Sequence, residues 1–234
     1  MQERVLAGAR PGARLLDVGC GAGGLLAGAT AAGLVVSGVD VDRRALGAAR
    51  RRVPGAALAV ADAHDLPFDA AGFDLVTLVQ VLEHLADPGA ALREAGRVCA
   101  PGGAVRATVW GAPQECDAAV IGAALAPLSG AAPDPRRRAP SLTDPDRLTA
   151  LAGRAGLAVR EVAVVRVPTD HPDPDDLVAG VLGSAPGRHA ARAVGPGAVR
   201  EALLDALAPF RTGDGYRLTD TVRILDATPV PPVA

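Results

Sequence analysis

Lysine is absent from this chain: all 24 basic residues are arginine, set against 26 acidic ones, for a formal net charge of -2. The positive excess that a nucleic-acid-binding surface carries is missing, so no nucleic-acid partner is expected. Cysteine is scarce as well. Cys20, Cys99 and Cys116 are odd in number and lack C-x-x-C spacing, which argues against a disulfide framework and against a zinc site. Three free thiols and no metal are the expectation. No apolar run approaches the roughly 20 residues of a membrane span, and the start, Met1 to Leu6, lacks a charged segment leading into a long apolar core. A cytoplasmic protein with no membrane partner is expected. The arginine runs 50–52 and 136–138 read as solvated faces rather than phosphate sites.

What is present is an ordinary globular composition, 49% apolar over 234 residues, enough for one substantial core. The chain is read as one domain, 1–234. Leu15-Leu16-Asp17-Val18-Gly19-Cys20-Gly21-Ala22-Gly23-Gly24 is the stretch around which the rest is arranged. A short apolar run ends beside an acid, and glycines then carry the chain round a sharp turn into a helix, the opening of a nucleotide-binding unit. The spacing predicts strands at about 14–18, 34–40, 57–61, 73–79, 104–110, 157–167 and 216–227. Helices are predicted at 23–32, from Asp42 to Arg52, and over 88–98, 114–128, 145–155, 174–183 and 197–209. A turn is expected at Ala100-Pro101-Gly102-Gly103, a Pro/Arg-rich connector at 129–142, and solvated helix charges at Glu115 and Asp117. Alternating β and α units of this length imply a parallel sheet with helices on both faces. Two insertions, about 111–142 and 168–215, interrupt the rhythm and are where a cap over a substrate would be built.

The glycines admit two readings. Gly19, Gly21 and Gly24 satisfy G-x-G-x-x-G, which raises a nicotinamide dehydrogenase. Against it stand Asp17, placed to meet an ammonium group rather than pyrophosphate, and Asp62 after the third strand. Two carboxylates suit a ligand that brings positive charge and no phosphate. There is also little room for a second mononucleotide-binding half.

Five ordered segments then carry a family resemblance: residues 15–24; the acid Asp40; Asp62-Ala63 followed by Leu66-Pro67-Phe68; Phe73 to Leu85; and Arg97-Val98-Cys99-Ala100-Pro101-Gly102-Gly103. Residues 14–110 resemble a class I S-adenosylmethionine-dependent methyltransferase, in the small-molecule branch of the ubiquinone and menaquinone biosynthesis type. The match is looser across 111–227. The resemblance implies a Rossmann-like, seven-stranded, doubly wound α/β sheet, mostly parallel with its last strand antiparallel. It implies S-adenosylmethionine as cofactor, S-adenosylhomocysteine as product, and a secondary-metabolite or quinone-like small molecule as acceptor. A homodimer is compatible with it. An alternative is a protein of the same fold that binds the cofactor and catalyses a non-methylating cyclisation or rearrangement.

The resemblance also assigns residues. Gly19, Cys20, Gly21 and Gly23 would approach the methionine portion, with Asp17 supporting its ammonium. Asp40 would accept from both ribose hydroxyls, and Val41 would lie on the adenine face. Asp62 would accept from the adenine amino group, the Ala63 N–H would serve a ring nitrogen, and Gln80 would face cofactor or substrate. His84 is the candidate base if the acceptor is a hydroxyl or an acidic carbon, and a helix-start packing residue otherwise. Trp110, Cys116 and Tyr216 are the candidate acceptor contacts. Relatives of this type carry a few tens of residues before the first strand, as a lid; here 13 precede position 14. The expectation is a lid lost, supplied by another protomer or by the insertions, or encoded upstream of this start.

Overall fold

The computed structural model describes residues 1–128 and 142–230; the arginine run 136–138 and all but the last residue of the 129–142 connector lie outside them. The strands are β1 (Arg14–Val18), β2 (Val35–Asp40), β3 (Ala57–Val60), β4 (Phe73–Val79), β5 (Cys99–Trp110), β6 (Leu157–His171), β7 (Arg211–Thr212) and β8 (Gly215–Pro229). The helices are α1 (Gln2–Val5), α2 (Gly24–Ala31), α3 (Arg43–Arg52), α4 (Pro88–Val98), α5 (Ala119–Leu128), α6 (Pro145–Arg154), α7 (Pro174–Gly183), α8 (Ala185–Val194) and α9 (Pro196–Leu207). Among the described residues the sheet order is β3-β2-β1-β4-β5-β8-β6, with β7 paired to β8. Strands β1 to β5 are parallel neighbours, and β8 runs antiparallel to β5.

The chain divides into two compact units. The described residues of the first lie within 1–110, 142–165 and 222–230, and those of the second within 111–128 and 166–221. The residues read as two insertions thus make up most of a unit of their own.

In the first unit, alternate residues of β1 enter different cores, as the period of two in a strand requires. Leu16 and Val18 pack with Leu92 and Ala95 of α4 and Leu148 and Ala152 of α6. Leu15 packs with Leu26 and Ala29 of α2 and Leu46 of α3. Helices therefore cover both faces. Three helices open on the same Asp-Pro device. Asp87, Asp144 and Asp173 each accept a backbone N–H from the first turn of α4, α6 and α7, and each is followed by a proline at the start of the helix. The carboxylate satisfies an otherwise orphaned donor and the ring fixes φ near its helical value.

Several expectations are corrected. The predicted turn at 100–103 lies inside β5, because Cys99 pairs with Phe73 before the register shifts to Leu75 against Ala104. Gly103 makes that bulge possible: an added Cβ would stand 2.8 Å from the Asp74 carbonyl oxygen. Helix α5 starts at Ala119, not 114, because Pro113–Glu115 form a 3₁₀ turn closed by the Glu115 carboxylate on the Ala112 N–H at 2.7 Å. Asp117 is likewise no solvated helix charge: its Oδ2 accepts the Thr219 N–H at 2.7 Å. Helix α8 was hidden by Pro186-Gly187, which fall in a first turn opened by the Ser184 hydroxyl. Described helices include none long and apolar enough to cross a membrane.

The second unit has its own apolar clusters. Leu125 of α5, Val178 of α7, Ala190 of α8 and Val199 and Leu203 of α9 form one; Leu177, Leu207, Tyr216 and Leu218 form another.

Candidate functional site

Strand order in the first unit reverses between β1 and β4, and the carboxyl ends of the strands beside such a reversal are where doubly wound sheets bind ligands. The residues at that edge converge. After β1 the chain turns through Gly19, Gly21 and Gly23 at φ of 71°, 53° and 77°. Gly19 and Cys20 donate to the Val39 carbonyl at 2.8 and 2.9 Å, fastening the turn to the end of β2. At Gly19 an added Cβ would lie 2.5 Å from Val81 Cγ2, so side chain and turn compete for one place. At Gly21 it would meet no atom within 4 Å, leaving a bare backbone open to a ligand.

Asp40 closes β2 and is held by its surroundings. Its Oδ2 accepts the Gly21 N–H and its Oδ1 the Asp42 N–H, both at 2.8 Å. A carboxylate offers about four acceptor positions, so two remain for a diol. Asp17 lies behind the turn, 2% exposed, with Oδ1 accepting the Thr77 hydroxyl at 2.7 Å. Burial raises its carboxyl to about 7; the Thr77 hydrogen bond opposes this, and the nearby Asp40 charge adds to it. Two acids whose charges oppose one another, with no cation between them among the described residues, form a place that a positive group would relieve. Burial also raises the Cys20 thiol, to about 12, with Asp17 and Asp40 adding to the shift. Cys20 is therefore a packed thiol and no nucleophile.

Asp62, two residues past β3, is exposed, and its Oδ1 receives the His64 N–H at 3.0 Å with the His64 Nδ1 at 2.6 Å. The backbone and ring of His64 hold the Asp62 carboxyl below the usual range. Ala63 beside it is buried, whereas Val41 is 69% exposed, an apolar face awaiting cover.

Gln80 follows β4 at φ 56°, a conformation non-glycine residues seldom adopt outside functional sites. Its N–H donates to Thr108 at 3.0 Å to Oγ1 and 3.2 Å to the carbonyl, while both ends of its amide are buried without a partner. Glu83, in the 3₁₀ turn Leu82–His84, accepts the Trp110 N–H at 2.9 Å and leaves Oε2 buried and unpaired; burial raises its carboxyl. His84 in the same turn is exposed, and Trp110, at the end of β5, is 43% exposed.

The first unit thus gathers Asp17, Gly19, Cys20, Gly21, Gly23, Asp40, Val41, Asp62, Ala63, Gln80, His84 and Trp110 on the carboxyl side of its parallel strands. Cys116 and Tyr216 belong to the second unit. The Cys116 thiol donates to the Thr221 carbonyl at 3.5 Å. Tyr216, read as an acceptor contact, is 2% exposed and packed in a core cluster, with Arg211 stacked 5.9 Å from its ring centre. Sequence reasoning passed over Thr77, Val81, Glu83 and Thr108. A hydroxyl inside the apolar run 73–79 was the one available signal, and threonine is common enough in strands to be unremarkable there.

Residues 16–107 match the family described as a methyltransferase domain. A ubiquinone biosynthesis O-methyltransferase of Azoarcus sp. (strain BH72) is 39% identical over 100 residues, 40% of this chain and 42% of that protein. The chain spans less than half the length of the curated relatives it matches. The crystal structure of the YcgJ protein of Bacillus subtilis superposes with a TM-score of 0.61 at 18% identity, covering 95% of this chain and 94% of that one. The [4+2]-cyclase SpnF superposes with a TM-score of 0.62 at 21% identity, covering 98% and 80%. These two likenesses are of fold alone.

Proposed function

We propose that the chain, whose residues 16–107 match the methyltransferase domain family and are similar to a ubiquinone biosynthesis O-methyltransferase, is a class I S-adenosylmethionine-dependent methyltransferase that transfers a methyl group to a hydroxyl of a small, quinone-like or secondary-metabolite acceptor. The observation that carries this reading is the buried Asp17 facing the charge of Asp40 beside an open glycine backbone, an arrangement made for a cationic ligand bearing a diol. The orphaned Gln80 amide supports it, because a buried donor and acceptor without partners cost free energy until a ligand meets them.

In this reading Gly19, Cys20, Gly21 and Gly23 give backbone room to the methionine portion and Asp17 supports its ammonium. Asp40 uses its two remaining acceptor positions on the ribose hydroxyls. Val41 covers one adenine face, while Asp62, aligned by His64, and the Ala63 N–H take the adenine edge. Gln80 bridges cofactor and acceptor, with Trp110 beside the acceptor. When bound, the cofactor supplies an electrophilic methyl on a sulfonium centre. The protein's own work is then to hold the acceptor oxygen in line and exclude water, with His84 taking the hydroxyl proton. SpnF shows that this fold also houses a cyclase. Fold alone does not choose between the two chemistries, and the quinone O-methyltransferase relatives favour methyl transfer.

The test is calorimetric titration with S-adenosylhomocysteine. Wild type is expected to bind one equivalent. Asp40→Ala is expected to bind about 100-fold more weakly, the loss of one to two charge-assisted hydrogen bonds. Equal affinity in a folded Asp40→Ala variant, or no binding by wild type, would contradict the assignment.

A further inference from the structure

We infer that the second unit contains a ligand site built from its own residues, which takes an apolar molecule ending in a protonated amine. The site is a cavity of about 610 Å³, within the size range of small-molecule sites. Leu125 of α5, Leu177 of α7 and Leu218 of β8 are among its lining residues, and all three are buried members of the unit's apolar clusters. Two helical glycines also line it. Gly122 in the middle of α5 and Gly180 in α7 each face open space, with no atom within 4 Å of where a Cβ would stand. Glycine inside a helix costs about 1 kcal/mol relative to alanine, and neither position has the positive φ or close backbone approach that would demand it. Both glycines are exposed and leave the lining without side-chain bulk at these two positions.

The charge of the lining selects the ligand. Among the described residues its carboxylates are Asp170, Asp173, Asp176 and Asp220, its one basic side chain is His171, and no arginine lines it. Asp170 is neutralised by a two-point pair with Arg217 at 2.6 and 3.0 Å. Asp173 and Asp220 are engaged by backbone N–H groups of Asp175 and Ala118, which leave their charge in place. Asp176, in the first turn of α7, is exposed at the rim. A largely apolar groove with three carboxylates that have no cationic partner among the described residues favours an ammonium on a hydrocarbon or aromatic body over a neutral or anionic analogue of the same shape.

The probe series is 4-phenylbutylamine, 4-phenylbutan-1-ol and 4-phenylbutyrate, titrated into the full chain by calorimetry. The amine is expected to saturate one site, the alcohol to bind about tenfold more weakly, and the carboxylate not to saturate. Raising the salt concentration should weaken the amine and leave the alcohol unchanged. Asp176→Asn should bring the amine to within about threefold of the alcohol. Gly122→Leu fills the cavity and should abolish binding while retaining the wild-type far-ultraviolet circular dichroism; if it does not fold, Gly180→Leu makes the same test from α7. Absence of saturation by the amine overturns the inference. So do equal affinity for amine and alcohol, an amine preference left undiminished by Asp176→Asn, or undiminished binding by a folded cavity-filling variant.

Discussion

Replacing Asp17 by asparagine separates what this buried acid does for stability from what it does for binding. Its carboxyl stands at about 7 in the folded chain, against 3.8 for an unperturbed one. Between about pH 4 and pH 7 the folded protein therefore keeps a proton that the unfolded chain has released. The stability linked to that proton is fully present below about pH 4 and is lost as the pH climbs to 7. At 1.36 kcal/mol per unit the loss amounts to about 4 kcal/mol. Asp17→Asn cannot ionise, so above pH 7 it should unfold at higher denaturant than wild type, by up to about 4 kcal/mol, with the difference shrinking toward pH 4. Binding should run the other way. An ammonium beside Asp17 favours the carboxylate, so wild-type affinity for S-adenosylhomocysteine should rise roughly tenfold per pH unit from 5.5 to 7, with about one proton released. Asp17→Asn should flatten the slope, and Thr77→Val, which removes the hydroxyl donor 2.7 Å from Asp17 Oδ1, should move the midpoint upward. Calorimetry at stepped pH reads all three. A wild-type affinity independent of pH across this window, or a slope that persists in Asp17→Asn, would refute the reasoning.

Other consequences are quickly checked. Gly19→Ala places a Cβ 2.5 Å from Val81 Cγ2 at a φ of 71° and should cost about 2–4 kcal/mol in denaturant unfolding, partly restored by Val81→Ala. Gln80→Gly removes both a strained φ of 56° and an orphaned amide, and should raise stability by about 1 kcal/mol while weakening cofactor affinity several-fold. Glu83→Gln should leave the Trp110 N–H bond in place and lower kcat less than Glu83→Ala, which frees the end of β5; equal losses would argue against a positioning role.

Local rules made much of the framework legible. The glycine turn, the strand from 14 to 18 and the helix that opens at Asp144-Pro145 follow from residue chemistry within a few positions, and the structure agrees. What escaped was set by partners distant in sequence. Gly103 permits a bulge only because Asp74 lies across the sheet, and Asp117 turns inward only because Thr219 offers an N–H. Helix α8 was lost for a local reason, since Pro186 and Gly187 punctuate a sequence yet are tolerated in a first turn. The site shows the same division. Asp17, Asp40 and Asp62 can be picked out by their places at or just past the carboxyl ends of strands, but the burial that raises Asp17 and the His64 ring that steadies Asp62 exist only in three dimensions.

The measurement that bears most directly on the central claim is transfer of label from S-adenosylmethionine carrying an isotopic methyl group, tested on a panel of catechols and hydroquinones and followed by mass spectrometry. The account predicts an acceptor that gains one labelled methyl per S-adenosylhomocysteine released, with the transfer abolished by Asp40→Ala. An acceptor converted while S-adenosylmethionine is left intact, or one methylated equally well by Asp40→Ala, would contradict it.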